Sequence, residues 1–68
     1  MTKLTPREIE VLKCIGEKMT SKQIALKLNL SPRTVHMFLE NVYFKLNVSG
    51  TGARQKAYNI ALINKMFD

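Results

Sequence analysis

A single cysteine, Cys14, and a single histidine, His36, are the only thiol and imidazole in the 68-residue sequence. One cysteine excludes an internal disulfide, and one cysteine with one histidine cannot supply the four ligands of a structural zinc site. A chain this short hides only about 60% of the surface that its unfolded form exposes. Without either staple, its stability rests on packed helices, helped or not by a second subunit. Long apolar runs are also missing. No stretch approaches the roughly 20 residues that cross a bilayer, and the N-terminal residues carry no signal-peptide pattern, so no membrane contact and a cytoplasmic location are expected. Clustered carboxylates and a glycine-rich phosphate loop are absent too, which removes the usual equipment of a catalytic site. The expectation is a protein that works by binding, with no enzyme activity and no cofactor. Neither a linker, a low-complexity stretch nor an internal repeat divides the chain, so residues 1–68 read as one domain.

Acidic residues are scarce as well. Five Asp and Glu stand against eleven Lys and Arg, a formal charge of +6, and the sequence pI is near 9.8. On so small a body that excess makes a positive field able to attract polyanions, nucleic acid first among them, although basic domains also bind acidic proteins. With 46% hydrophobic and 24% charged residues, the composition is that of a folded domain rather than a disordered tail.

What is present is punctuation for helices. Thr5-Pro6-Arg7-Glu8 sets a capping hydroxyl before a proline at the first helical position and a glutamate three residues after the cap, which together satisfy orphan backbone N–H groups. A helix over about 6–19 follows, with Val11, Leu12, Ile15 and Met19 on its buried face and Glu10, Lys13 and Glu17 outside. Thr20-Ser21-Lys22-Gln23 repeats the box and opens a second helix over 21–28, which buries Ile24, Ala25 and Leu28. Asn29, tolerant of left-handed backbone, stops it. Ser31-Pro32-Arg33-Thr34 caps a third helix over 32–46. Asn47 to Gly52 reads as a loop. A fourth helix over about 53–65 buries Ala57, Ile60 and Ala61, with Ile63 or Met66 as further core candidates. No run shows strand alternation, so the fold class is all-α, a compact four-helix domain. Cys14 reads as a small core residue.

The tight Asn29-Leu30-Ser31 connection, followed by the longer helix, describes a helix-turn-helix. At about 100° per residue, Val35, Leu39, Val42 and Leu46 share a stripe roughly 60° wide, whereas Arg33, His36, Met37, Glu40 and Phe44 fall opposite in a stripe about 100° wide. The first stripe is core. The second is either a solvated surface or a binding face, and Met37 and Phe44, large and apolar on a face excluded from the core, favour contact with something. Were this helix to enter a DNA major groove, these five side chains would meet base edges. The N–H groups near Ser31 and Thr34 favour a phosphate, with Lys22, Lys27 and Lys45 gripping the strands on either side.

The residues Leu4-Thr5-Pro6-Arg7-Glu8, Glu10-Val11-Leu12, Ser21-Lys22-Gln23-Ile24-Ala25, Leu28, Leu30-Ser31, Thr34-Val35, Asn41-Val42-Tyr43 and Lys45-Leu46-Asn47-Val48 resemble the LuxR/FixJ/NarL-type helix-turn-helix of bacterial transcription regulators. The resemblance spans residues 4 to 48. It implies a DNA-binding effector domain of a response regulator or similar protein, whose third helix reads the major groove and whose fourth often pairs with another subunit. Carried over by position, His36, Met37 and Glu40 fall where such domains commonly contact bases. Thr20, Lys22, Thr34 and Lys45 fall where phosphate contacts are usual. Departures are equally definite. His36 and Phe44 replace usual basic residues, Phe38 a frequent histidine, and Glu40 a basic or small residue. Lys18 stands at a usual glycine, and the loop before Arg54 is longer than the family's.

Together these readings make sequence-specific double-stranded DNA binding the expected function, in the bacterial nucleoid, by a free-standing regulator or by the effector end of a longer chain. The expected base contacts are Arg33, His36, Met37 and Glu40, with Glu40 on cytosine and Met37 on a thymine methyl. The expected phosphate contacts are Thr20, Ser21, Lys22, Lys27, Thr34 and Lys45. One such domain covers too little DNA for strong specificity, so a homodimer on DNA is expected through Tyr58, Leu62 and Met66, with Phe67 beside them, unless these residues cap the domain's own core instead. Two rival readings remain: a protein-interaction module derived from a helix-turn-helix, and a promoter-recognition domain that works with RNA polymerase.

Overall fold

The computed structural model describes residues 3–67 as four helices, α1 (Pro6–Gly16), α2 (Ser21–Leu28), α3 (Pro32–Leu46) and α4 (Ala53–Ile63). The ends of the expected 1–68 domain, residues 1, 2 and 68, lie outside the described residues. Among those described, no strand occurs, and no helix is long and apolar enough to cross a membrane. The expected all-α class holds.

Each of the first three helices begins where its cap residues stand. Thr5 Oγ1 accepts from the Glu8 N–H at 3.2 Å while Glu8 Oε1 accepts from the Thr5 N–H at 2.7 Å. Thr20 and Gln23 repeat the exchange at 3.1 and 2.8 Å, and Ser31 Oγ accepts from the Thr34 N–H at 3.1 Å. Each arrangement satisfies N–H groups that the first helical turn leaves open. α4 has no side-chain cap and starts from Gly52 at φ +79°, a conformation open to glycine at little cost.

The helix ends are uniform. A left-handed residue follows each of the four described helices: Lys18 at φ +62°, Asn29 at +59°, Asn47 at +57° and Lys65 at +55°. The next N–H then returns to a carbonyl five residues back, Met19 to Cys14, Leu30 to Ala25, Val48 to Tyr43 and Met66 to Ala61, at 2.8 to 3.2 Å. This is the Schellman closure. It corrects two expected boundaries. The first helix ends at Gly16 rather than Met19, because Lys18 turns left-handed, and Met19 reaches the core from outside the helix. The fourth ends at Ile63 rather than Lys65 for the same reason. The chain then doubles back, so Met66 and Phe67 pack on the core while Ile63, a core candidate, is 77% exposed.

The core is a single cluster of Val11, Leu12, Cys14 and Ile15 from α1, Ile24 and Ala25 from α2, Val35, Leu39 and Val42 from α3, and Ala57 and Ala61 from α4. α3 packs against each of the other three helices. Leu46, expected on its inner stripe, is only half-buried. Three small residues let α1 and α4 approach: Ala57 and Ala61 are fully buried, and a Cβ at Gly16 would collide with the Tyr58 ring. Tyr58 also lies 5.2 Å from Phe67, centroid to centroid. Between α1 and the end of α2, the Arg7 guanidinium donates to the Leu28 carbonyl at 3.0 Å, which fixes the turn that launches α3.

Candidate nucleic-acid interface

α2, the Asn29-Leu30-Ser31 turn and α3 form the helix-turn-helix, and α3 is divided lengthwise. Val35, Leu39 and Val42 are 0 to 3% exposed. On the opposite side Arg33, His36, Met37, Glu40 and Phe44 are all exposed, Phe44 at 87%. The expected binding stripe is therefore open along its whole length. Phe38 and Tyr43, between the stripes, are half-buried.

The expected phosphate residues divide less evenly. Thr20, Ser21 and Lys22 gather at the start of α2, and Thr34 sits in the first turn of α3. The Thr20 hydroxyl accepts from a backbone N–H, which leaves its own proton to donate. Thr34 Oγ1 lies 2.9 Å from Ser31 Oγ. Lys22 and Arg33 are exposed and have no carboxylate partner among the described residues. The Lys27 ammonium lies 3.2 Å from Glu17 in an exposed pair, and that bond holds it above the usual lysine range. Solvent screens so exposed a pair and leaves it weak, so Lys27 is free to change partner.

Lys45 is engaged within the protein. Its Nζ donates to Glu8 Oε1 at 2.8 Å and Oε2 at 3.1 Å, and to the Lys3 carbonyl at 3.3 Å. The side chains of Lys45 and Glu8 are 23% and 5% exposed. The ammonium is engaged inside the protein, so Lys45 as it stands ties α3 to α1 rather than standing open to a strand. Burial pushes the Glu8 carboxyl up, but the Lys45 ammonium and the Thr5 N–H outweigh it and hold the group below its ordinary value.

Tyr58 and Met66 are turned inward. Both are half-buried against the core, with Phe67: Tyr58 from within α4, where its ring lies on Gly16 of α1, and Met66 and Phe67 from the turn after α4. Each therefore packs on the domain's own core, the alternative to a dimer contact that the sequence left open. Leu62 at 54% and Ile63 at 77% are the exposed apolar residues of α4.

Arg54 was not among the expected contacts. The longer loop nonetheless delivers it to the start of α2, where its guanidinium donates to Ser21 Oγ at 3.1 Å. The one signal for it in the sequence is its place at the family's usual arginine. Nearby, burial raises the Tyr43 phenol and the Arg54 charge partly offsets this.

The family model described as bacterial regulatory proteins, luxR family, matches residues 2–61. The chain belongs to that family. Similar relatives include the transcriptional regulatory protein UhpA of Salmonella typhimurium, 38% identical over 65 residues, which are 96% of this chain and 29% of the relative. The transcriptional regulatory protein YdfI of Bacillus subtilis is 43% identical over 61 residues, 90% of this chain and 27% of the relative. The nitrate/nitrite response regulator protein NarP of Escherichia coli is 44% identical over 45 residues, 66% and 21%. This luxR-family chain thus spans under a third of the length of these relatives, which are regulators by name and not enzymes. No solved structure matches it significantly.

Proposed function

We propose that this luxR-family chain binds double-stranded DNA sequence-specifically and regulates transcription, with α3 in the major groove. The observation that carries the reading is the division of α3. Its inner stripe anchors it in the core at 0 to 3% exposure, and its outer stripe is open to a partner. A helix held by three others presents Arg33, His36, Met37 and Glu40 to base edges with no further cost of ordering its backbone.

Thr20, Ser21, Lys22, Lys27, Thr34 and the newly placed Arg54 frame that stripe and are assigned to the phosphates. The N–H groups at the starts of α2 and α3 add their dipoles. Lys45 leaves the set because Glu8 holds it. Phosphate contacts alone give salt-sensitive, sequence-blind affinity, so two copies on neighbouring half-sites supply the specificity. Leu62, with Ile63, is the contact assigned to that pairing. Residence in the bacterial cytoplasm, on the nucleoid, follows from the regulatory role, and RNA polymerase is the further partner such a regulator would meet if it activates.

Fluorescence anisotropy of labelled duplex, titrated with the protein at two salt concentrations, tests the reading. Binding at low salt, a steep loss at high salt, and retention of a selected duplex over a random one are expected. No binding to any duplex at low salt would overturn it.

A second reading has one specific observation behind it. Phe44 and Met37, 87% and 56% exposed on the same face, suit an apolar protein surface, and no duplex binding at low salt is the outcome this reading requires.

A further inference from the structure

The acidic residues are not alike. Glu8 lies 2.8 Å from Lys45, Glu10 3.1 Å from Arg7 and Glu17 3.2 Å from Lys27. Glu40, the other acidic residue among those described, has no such partner, and it stands in the middle of the outward stripe of α3. One turn before it is His36 and one turn after it is Phe44, neither a fixed cation. Lys45, adjacent to Phe44, is turned onto Glu8. Beyond Arg33, then, the outward stripe carries no fixed positive charge, and a bare carboxylate is its only charge.

In a chain of net charge +6, an acidic group on the reading face is a cost for sequence-blind binding, because phosphates repel it. Only a base-edge donor repays that cost. Adenine offers N6 but sets the N7 lone pair beside it, whereas cytosine offers its N4 amine with no acceptor of its own in the major groove. Met37, three residues before Glu40 and therefore on the same face, is suited to a thymine methyl on an adjacent pair.

We propose that Glu40 determines the specificity of the reading face by accepting a hydrogen bond from cytosine N4. This rests on the DNA-binding reading above and goes beyond it by naming the base and the discriminating atom. The carboxylate works in two ways. It gains a bond on the correct base, and it weakens binding wherever that bond is missing.

The experiment is selection from a random duplex pool with the wild-type protein, Glu40→Ala and Glu40→Gln, each first shown by its melting curve to be folded. Wild type is expected to fix a cytosine at one position of its site. E40A is expected to keep the other positions, to lose roughly fivefold or more discrimination at that one, and to bind random duplex more tightly. E40Q is expected to move the preference there to adenine, whose N6 and N7 suit an amide. Replacing the selected cytosine by pyrimidin-2-one, which lacks the 4-amino group, is expected to weaken wild type but not E40A. If E40A still fixes the same cytosine, or if loss of the amino group weakens both proteins equally, the Glu40 role is wrong while DNA binding stands. If wild type enriches no duplex, both fail.

Discussion

The Lys45 ammonium and the Glu8 carboxylate, 37 residues apart in sequence, meet at 2.8 Å and tie the first turn of α1 to the last turn of α3. Glu8 thereby does two jobs, since the same carboxylate closes the capping box with Thr5. The end of α3 is positioned by this tie, and so is the outward stripe that precedes it.

Lys45→Met should therefore cost about 3 kcal/mol, because it strands a buried carboxylate, whereas Glu8→Gln, which keeps a capping side chain, should cost less. The pH dependence has a definite sign. The Glu8 carboxyl is held below its ordinary value of 4.5 in the folded protein, so its contribution is full above pH 4.5 and is lost as pH falls from there through the lowered folded value. Urea unfolding followed by circular dichroism at pH 7 and in the acid range should show a steeper acid loss for wild type than for E8Q. Equal stability of K45M and wild type at pH 7 would count against the tie.

Lys18→Gly should stabilise the protein by about 1 kcal/mol, because Lys18 sits at φ +62°, where a Cβ is a strain and glycine is not. The same exchange at exposed Lys13, inside α1, should destabilise by about 1 kcal/mol. Thermal melts of the two variants should shift in opposite directions.

These two sites mark how far the sequence could be read. The starts of α1, α2 and α3 were legible because a cap is a local device, complete within Thr5 to Glu8, Thr20 to Gln23 and Ser31 to Thr34. Asn29 was legible as a stop because its side chain tolerates left-handed backbone. Lys65 was not, since nothing in a lysine asks for that conformation, and for Lys18 the one signal was the family's usual glycine at its place; the closure follows from burying Met19 and Met66 in the turns after them. The division of α3 and the exposure of its outer stripe were legible from periodicity, and the family from the motif resemblance over residues 4 to 48. The partner of Lys45 was not, because Glu8 is fully accounted for by its cap and the second bond exists only when α1 and α3 are packed. Tyr58 illustrates the same gap. Helical spacing could not decide whether it faced a second subunit or Gly16, and the choice is made by the lack of a Cβ at Gly16.

Leu62→Ser and Tyr58→Ala should now behave differently. Leu62 is 54% exposed, so its replacement should change stability by no more than about 0.5 kcal/mol. It should weaken binding to a duplex with two half-sites more than to one with a single half-site. Tyr58→Ala removes a ring packed on Gly16 and Phe67 and should cost roughly 2–3 kcal/mol, somewhat less than truncating a fully buried aromatic. Melting curves with anisotropy on the two duplexes separate the effects. Loss of folding in L62S would return Leu62 to the core.

Salt dependence tests which lysines meet phosphates. Lys22 is exposed at the start of α2 without a carboxylate partner among the described residues, so Lys22→Ala should weaken binding about equally on every duplex and reduce the salt slope by about 1. Lys27→Ala should act in the same direction but less, because Glu17 competes for its ammonium. Lys45→Met, measured at a temperature where it is folded, should leave the slope unchanged, because its charge is already matched by Glu8 and releases no counterion on binding. Anisotropy titrations across a salt series give all three slopes. A drop of one unit for K45M would mean that Lys45 leaves Glu8 for a phosphate on the duplex, and that the tie between α1 and α3 opens when DNA binds.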